Sequence, residues 1–287
     1  MVNLKEARAE EPDGVALLRA DLIRVALPSP TLAPATRTNS YLFPIDGGWA
    51  LFDVGGLDDD SMDPLWRAID EHCGGAIAAI VISHEHEDHH SGLTRVRARY
   101  GEVPLYADPH VIERLAARYN APLAATRPLV EGARLGALRF DKLEGHALGH
   151  FCAVHDEYVL CADMMAGLGT IVVAPPEGSM RDYFASLHRL IALGDRPCYP
   201  AHGPEMASTS GYAQAYLAHR QAREAKILAQ VTPTPKSLAT ITAGAYDDVP
   251  KELLRLAEVA ALAHLQKLVE DGTIVSACDT WSRPPVS

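Results

Sequence analysis

An apolar run, Ala-Ile-Ala-Ala-Ile-Val-Ile (76–82), stops abruptly at Ser-His-Glu-His-Glu-Asp-His-His (83–90). The run reads as a strand buried on both faces. Seven of the eight residues that follow are His, Asp or Glu. Polar groups at the end of a buried strand resist desolvation, and like charges repel, so the cluster needs a compensating partner. A divalent cation suits that role. His84 and His86 stand two apart at a strand end, so their imidazoles point the same way. Asp88 and His89 follow the turn and aim back at the same region. Imidazole nitrogens and carboxylate oxygens at a short fixed spacing suit Zn²⁺ or Fe²⁺. A lone histidine is usually a structural residue, whereas HxHxDH after a hydrophobic strand is far more specific.

One turn does not close such a site, so further ligands are expected downstream. "LEGHALGH" offers His146 and His150, and "YVLCADMM" puts Asp163 at the end of an apolar strand, where a carboxylate is costly unless coordinated or paired. "YPAHGP" places His202 in a Gly/Pro turn after another strand.

The surrounding chain alternates short β-rich runs with helix-like segments, which argues for a layered α/β architecture. Strands are expected at 22–28, 39–45, 49–56, 76–83 and 103–108, and helices at 57–75, 91–101, 109–120 and 179–193. Near residue 212 the composition shifts. A long amphipathic helix, a Pro-containing break, a short helix, a strong helix over 251–272 and a hairpin over 273–281 outline a winged helix. The chain is therefore divided into residues 1–211 and 212–287. From Tyr212 onward there are eight Lys/Arg and eight Asp/Glu, so this part is neutral, and packing or pairing with a second copy is expected of it before nucleic-acid reading.

At 287 residues and 48% apolar composition the chain can bury a large core. A net charge of −11 argues against broad binding to nucleic acid or an anionic membrane. Five scattered cysteines without a CxxC pair fit reduced thiols in a cytoplasm. The opening "MVNLKEARAEEPDG" has no apolar h-region, so no export leader is expected, and no run is long enough to span a membrane.

Taken together, HxHxDH and the ordered downstream His, Asp and His resemble the metallo-β-lactamase superfamily, over nearly the whole chain. The resemblance implies an αββα four-layer sandwich. It also implies site one at His84, His86 and His146, site two at Asp88, His89 and His202, and Asp163 bridging. The family pattern "TPGHTSGH" aligns best with "KLEGHALGH", which makes His146 the ligand and His150 its support. The other phase makes His150 the ligand and leaves only thirteen residues to Asp163. Leu143-Glu144 stands where the family has Thr-Pro, and "AD" stands where it has "GD". Asp53 in "LFDVGG" matches a position that buttresses the metal loop, while Cys161 reads as a buried core thiol. Glu85, Glu87 and His90 are expected beside the ligands rather than among them. "RTNSYLF", "MAGLGTIVVAPPEGSMRDYFASLHRL" and "HRQAREAKIL" are similar to a branch that carries a C-terminal winged helix. That branch includes bacterial hydrolases, an endoribonuclease and thioesterases related to glyoxalase II.

The resemblance implies two zinc ions, with iron or manganese as substitutes, and a bridging hydroxide that attacks a carbonyl or phosphoryl centre, with Asp88 orienting it and taking its proton. The leading expectation is hydrolysis of an ester, thioester or lactone of a small acyl compound. Cleavage of single-stranded RNA is the alternative, with Arg95, Arg97, Arg99, Arg220, Arg223 and Lys226 as phosphate contacts if they are not simply solvated. A one-iron oxygenase similar to the persulfide dioxygenases is the third.

Overall fold

A computed structural model describes residues 10–284. The expectation about an export leader falls largely on residues 1–9, outside the described residues. No helix of the described residues is long and apolar enough to cross a membrane.

Two sheets stack face to face. The first has seven strands in sequential order: β1 (Gly14–Arg19), β2 (Leu22–Pro28), β3 (Arg37–Ile45), β4 (Gly48–Phe52), β5 (Ala79–Val81), β6 (Leu105–Ala107) and β7 (Thr126–Pro128). β1 to β4 form an antiparallel meander, and β4 to β7 run parallel. Parallel neighbours need crossovers, supplied by α1 (Asp63–His72), α2 (Leu93–Tyr100) and α3 (Pro109–Arg118). The second sheet comprises β8 (Arg134–Leu135), β9 (Leu138–Lys142), β10 (Phe151–Val154), β11 (Val159–Ala162) and β12 (Cys198–Pro200). It is covered by α4 (Met180–Ala192) and α5 (Thr209–Gln230).

Side chains alternate along each strand, and here both faces are buried, so each strand feeds two cores. Leu42 and Leu51 point at α1 and α2, while Tyr41, Phe43 and Phe52 point between the sheets. On β10, Phe151 and Ala153 meet them, and Cys152 and Val154 face α4. Phe52 and Phe140 touch across the inter-sheet core with ring centroids 6.2 Å apart. Three cores separate four layers, the αββα sandwich. A fourth core belongs to α6 (Leu238–Ala245), α7 (Leu254–Glu270) and a small sheet of β13 (Lys236–Ser237), β14 (Val275–Ala277) and β15 (Thr280–Ser282). This is the winged helix. Helix α5 runs unbroken past residue 212: Ala213 and Tyr216 pack into the sandwich and Ile227 into the winged helix.

Several elements are shorter than the residue pattern suggests. The strand expected over 49–56 ends at Phe52, because Asp53 turns into the left-handed region at φ 55°. The run over 76–83 ladders only at Ala79–Val81. The helix expected over 91–101 begins at Leu93 and is closed by Gly101 at φ 78°.

Candidate metal centre

The apolar strand β5 carries the chain into the sandwich, and residues 83–90 cap its end. Two backbone bonds clamp this loop: the Val54 N–H donates to the His89 carbonyl (2.8 Å), and the Phe151 N–H to the Ser83 carbonyl (3.0 Å). His146 comes from the β9–β10 connection, Asp163 from the end of β11, and His202 from the turn after β12. Four side chains thus hang from one sheet and three from the other.

The structure brings all seven together. His84, His86, His146 and Asp163 form one group, and Asp88, His89 and His202 a second; within each group the donor atoms lie within 4.8 Å of one another. In the first, His84 Nε2, His86 Nδ1 and His146 Nε2 are separated by only 3.0, 3.3 and 2.9 Å. Donors placed about 2.0–2.1 Å from a tetrahedral Zn²⁺ stand roughly 3.3–3.4 Å apart, so this spacing is close to that of a coordination shell. Asp163 faces both groups. Its Oδ2 lies 3.5 Å from His146 Nε2, and its Oδ1 lies 3.3 Å from His202 Nε2 and 3.6 Å from His89 Nε2. Asp88 Oδ2 lies 3.2 Å from His202 Nε2 and 3.8 Å from His89 Nε2.

The far side of each ring explains why the near sides are bare. The His146 Nδ1–H donates to the Val172 carbonyl (2.8 Å), and the His202 Nδ1–H to the Arg37 carbonyl (2.9 Å). Asp53 accepts from the Ser83 N–H (2.7 Å), the Ser83 hydroxyl (2.7 Å) and the His89 Nδ1–H (2.8 Å). With its proton committed to Asp53, the Ser83 hydroxyl accepts from His84 Nδ1–H (2.9 Å). Four rings are thereby fixed with Nε2 turned inward, the atom that a metal-ligating histidine offers once any proton on it has left. Lone pairs pressed together at about 3 Å repel unless a cation lies among them. His89 Nε2 and Asp163 Oδ1 are buried without a hydrogen-bond partner among the described residues. The donor set, its charge and its spacing fit a divalent cation at each group.

Charge tells the same story. Burial lowers His146 to about 4, so that ring is neutral and ready to donate. His202 is opposed by burial yet rises to about 10, because Asp163 and Asp88 face it. Burial also opposes ionisation of Asp88, but His89 and His202 hold its carboxyl at about 2. In the protein alone, protons on His89 and His202 balance two carboxylates. A cation entering there displaces protons.

His150 stays outside both groups: its Nε2 accepts from the Asp163 N–H (3.2 Å), bracing the backbone of that residue. Glu85 is tied to Arg114 (2.6 Å), Glu87 to Arg118, and His90 to Tyr119 (2.8 Å). Cys161 is buried, and burial pushes its thiol up. The expectation of a solvated face fails for Arg220 and Arg223, which are only 5% and 9% exposed. The Ser83 relay and the Val172 and Arg37 carbonyls went unread. The last two are backbone atoms and carry no residue signal.

Residues 50–147 match the family described as "Beta-lactamase superfamily domain", and residues 237–281 match "Beta-lactamase associated winged helix domain". Over 286 aligned residues, the chain is 28% identical to the lactamase-like protein vrtG of Penicillium aethiopicum, covering 93% of this chain and 87% of that one. Over 155 residues it is 29% identical to a hydroxyacylglutathione hydrolase of Vibrio cholerae, 51% of this chain and 55% of that one. A crystal structure of a beta-lactamase domain protein from Burkholderia ambifaria shares the fold, with a TM-score of 0.77 at 20% identity over 94% of this chain and 93% of that one. The chain has the metallo-β-lactamase fold, and its residues 50–147 and 237–281 match a domain of the beta-lactamase superfamily, whose members are typically hydrolytic metalloenzymes, and the winged helix domain associated with it.

Proposed function

We propose that this protein is a two-zinc hydrolase that cleaves an ester, thioester or lactone of a small acyl compound. The observation that carries the reading is Asp163, whose two oxygens face two separate sets of inward-turned donors. His84, His86 and His146 would hold one ion and Asp88, His89 and His202 the other, with Asp163 placed to reach either. Bound zinc supplies a water of pKa near 7 in place of about 15.7 and polarises the electrophilic oxygen. Asp88, held ionised by His89 and His202, would orient the attacking water and accept its proton. A protein nucleophile is not needed, and the buried Cys152 and Cys161 thiols are pushed up by burial, away from the thiolate form.

Three observations support an acyl substrate. The relative named hydroxyacylglutathione hydrolase acts on an acyl compound. A cavity of about 490 Å³ opens beside His86, bounded by Glu85, Arg114 and Glu177, a size suited to a small molecule. Finally, the cationic side chains that RNA would need are engaged within the chain: Arg95 with Asp59 (2.7 Å), Arg97 with the Ala124 carbonyl (2.8 Å), Arg99 with Asp70 (3.2 Å) and Lys226 with Asp247 (3.2 Å). The unpaired state of all five cysteines is consistent with a reducing cytoplasm.

The winged helix match favours a second reading, endonucleolytic cleavage of single-stranded RNA. Metal analysis followed by a panel of acyl-CoA thioesters, lactones and single-stranded RNA separates the two. About two zinc per chain with turnover of an acyl compound is expected. One iron per chain, or cleavage of RNA alone, would overturn the proposal.

A further inference from the structure

We infer that Arg220, on the helix joining the two parts of the chain, is a positioning residue for the site-one ligand His146. The inference rests on the reading of His146 as a metal ligand. Arg220 is 5% exposed, and its guanidinium donates to the Ile171 carbonyl. The next carbonyl along, that of Val172, accepts the His146 Nδ1–H (2.8 Å). One arginine therefore pins the segment whose following peptide fixes the tautomer and direction of the ring.

The surroundings sharpen the argument. The Arg220 guanidinium carbon lies 5.6 Å from the centre of the Tyr183 ring, and the Tyr183 hydroxyl donates to the Met164 carbonyl (2.7 Å). Gly145, just before His146, sits at φ 121°, and a Cβ there would stand 2.1 Å from the Tyr183 nitrogen. His146 is thus held from two sides, by the Tyr183 backbone behind Gly145 and by the Val172 carbonyl at its Nδ1. Arg220 reaches a neighbour of each support, the Tyr183 ring and the Ile171 carbonyl. One turn earlier on α5, the Tyr216 hydroxyl exchanges bonds with the Ala166 N–H (3.0 Å) and carbonyl (3.1 Å), and the adjacent Gly167 N–H donates to the His202 carbonyl (2.8 Å). One turn later, Arg223 donates to the Ala245 carbonyl and to Asp248 (2.9 Å) in the winged helix. The same helix face therefore grips the ligand-bearing segments at one end and the winged helix at the other.

A buried guanidinium is expensive to desolvate, and its Nε has no hydrogen-bond partner among the described residues. A methionine of similar length avoids that cost but leaves the Ile171 carbonyl without its donor, so circular dichroism of the variant reads folding apart from positioning. The test is made on the full chain with Arg220→Met and Arg220→Lys, stripped of metal and titrated with zinc against a chromophoric chelator. Exchange of the His146 Nδ1–H is followed by ¹⁵N NMR of the zinc-loaded protein. Arg220→Met should weaken one zinc step about tenfold, as loss of outer support does, and should hasten exchange of that proton. Arg220→Lys, which keeps a donor for Ile171, should recover most of both. Both zinc steps within twofold of the parent, with the proton still protected in Arg220→Met, would overturn the inference. Should Arg220→Met fail to fold by circular dichroism, Arg220→Gln takes its place and the same two outcomes decide. His146→Ala is the control: parent-like binding of two zinc there discards the ligand reading and the positioning role with it. Loss of one zinc in His146→Ala but none in Arg220→Met discards the positioning role alone.

Discussion

Replacing Asp53 by Asn changes one atom and should rearrange protons at both metal groups. Asp53 is buried and accepts three bonds, two from Ser83 and one from His89 Nδ1–H. An amide has one acceptor atom and one donor group. If its oxygen stays on the Ser83 N–H, its NH₂ faces His89 Nδ1, which must then accept. The His89 proton moves to Nε2, the atom 3.6 Å from Asp163, and its lone pair leaves the site. The Ser83 hydroxyl, no longer able to donate to residue 53, turns its proton to His84 Nδ1, and the same inversion reaches site one. If the amide flips instead, NH₂ meets the buried Ser83 N–H, and the unsatisfied donors cost about 1–3 kcal/mol. Loss of an outer-shell partner weakens metal affinity 10–100-fold, about 1.4–2.7 kcal/mol. Asp53→Asn should therefore fold, bind its weaker zinc at least tenfold less tightly in chelator competition, and lose turnover in proportion. Two zinc ions bound with parent affinity would refute the proton relay.

Three further outcomes are expected. His146→Ala should lose one metal and turnover by more than about a thousandfold, whereas His150→Ala, which removes only the acceptor for the Asp163 N–H, should keep two metals with affinity down by no more than about tenfold; mass spectrometric metal counts and rates check both. Removing metal with a chelator should lower thermal stability, and restoring zinc to a hundred times its dissociation constant should return about 2.7 kcal/mol, read by calorimetry. The ion cluster that joins α5 to α7 should make stability depend on acid. Glu224 is opposed by burial, yet its bonds from His264 (3.0 Å) and Lys267 (2.9 Å) hold it below its ordinary 4.5. The unfolded chain then binds the extra proton, so this contribution is complete above pH 4.5 and is lost as pH falls through the lower folded value. Glu224→Gln should flatten the melting temperature between about pH 6 and 3; an unchanged slope would show that the cluster contributes nothing.

Much of the centre is legible because coordination imposes local rules. HxHxDH places four donors in one turn, and a buried strand before it can be seen as an apolar run. His146, Asp163 and His202 are far apart in sequence and become readable only through their order behind that motif. The supports are harder to see. Val172 and Arg37 act through carbonyls, which every residue has. Arg220 was visible in principle: with Ala213, Tyr216, Leu217 and Ile227 it falls on one helical stripe, so its place beside Arg223 on a mostly apolar face marks it as inward-pointing. Its charge suggested solvent instead. The two-residue strands β8 and β13 take their form from a neighbour's edge rather than from any pattern of their own.

The ligands are divided between two stacked sheets, and this bears on how the molecule comes together during synthesis. A nascent chain that has emerged only through residue 145 already displays the imidazole-rich turn, yet it lacks every partner from the second sheet. Such a fragment has no closed cage, and stray cations find only a loose grip. The full donor set waits until His202 is delivered, about seven-tenths of the way along, and ions held as proposed would then tie the two sheets together at the rim of the sandwich.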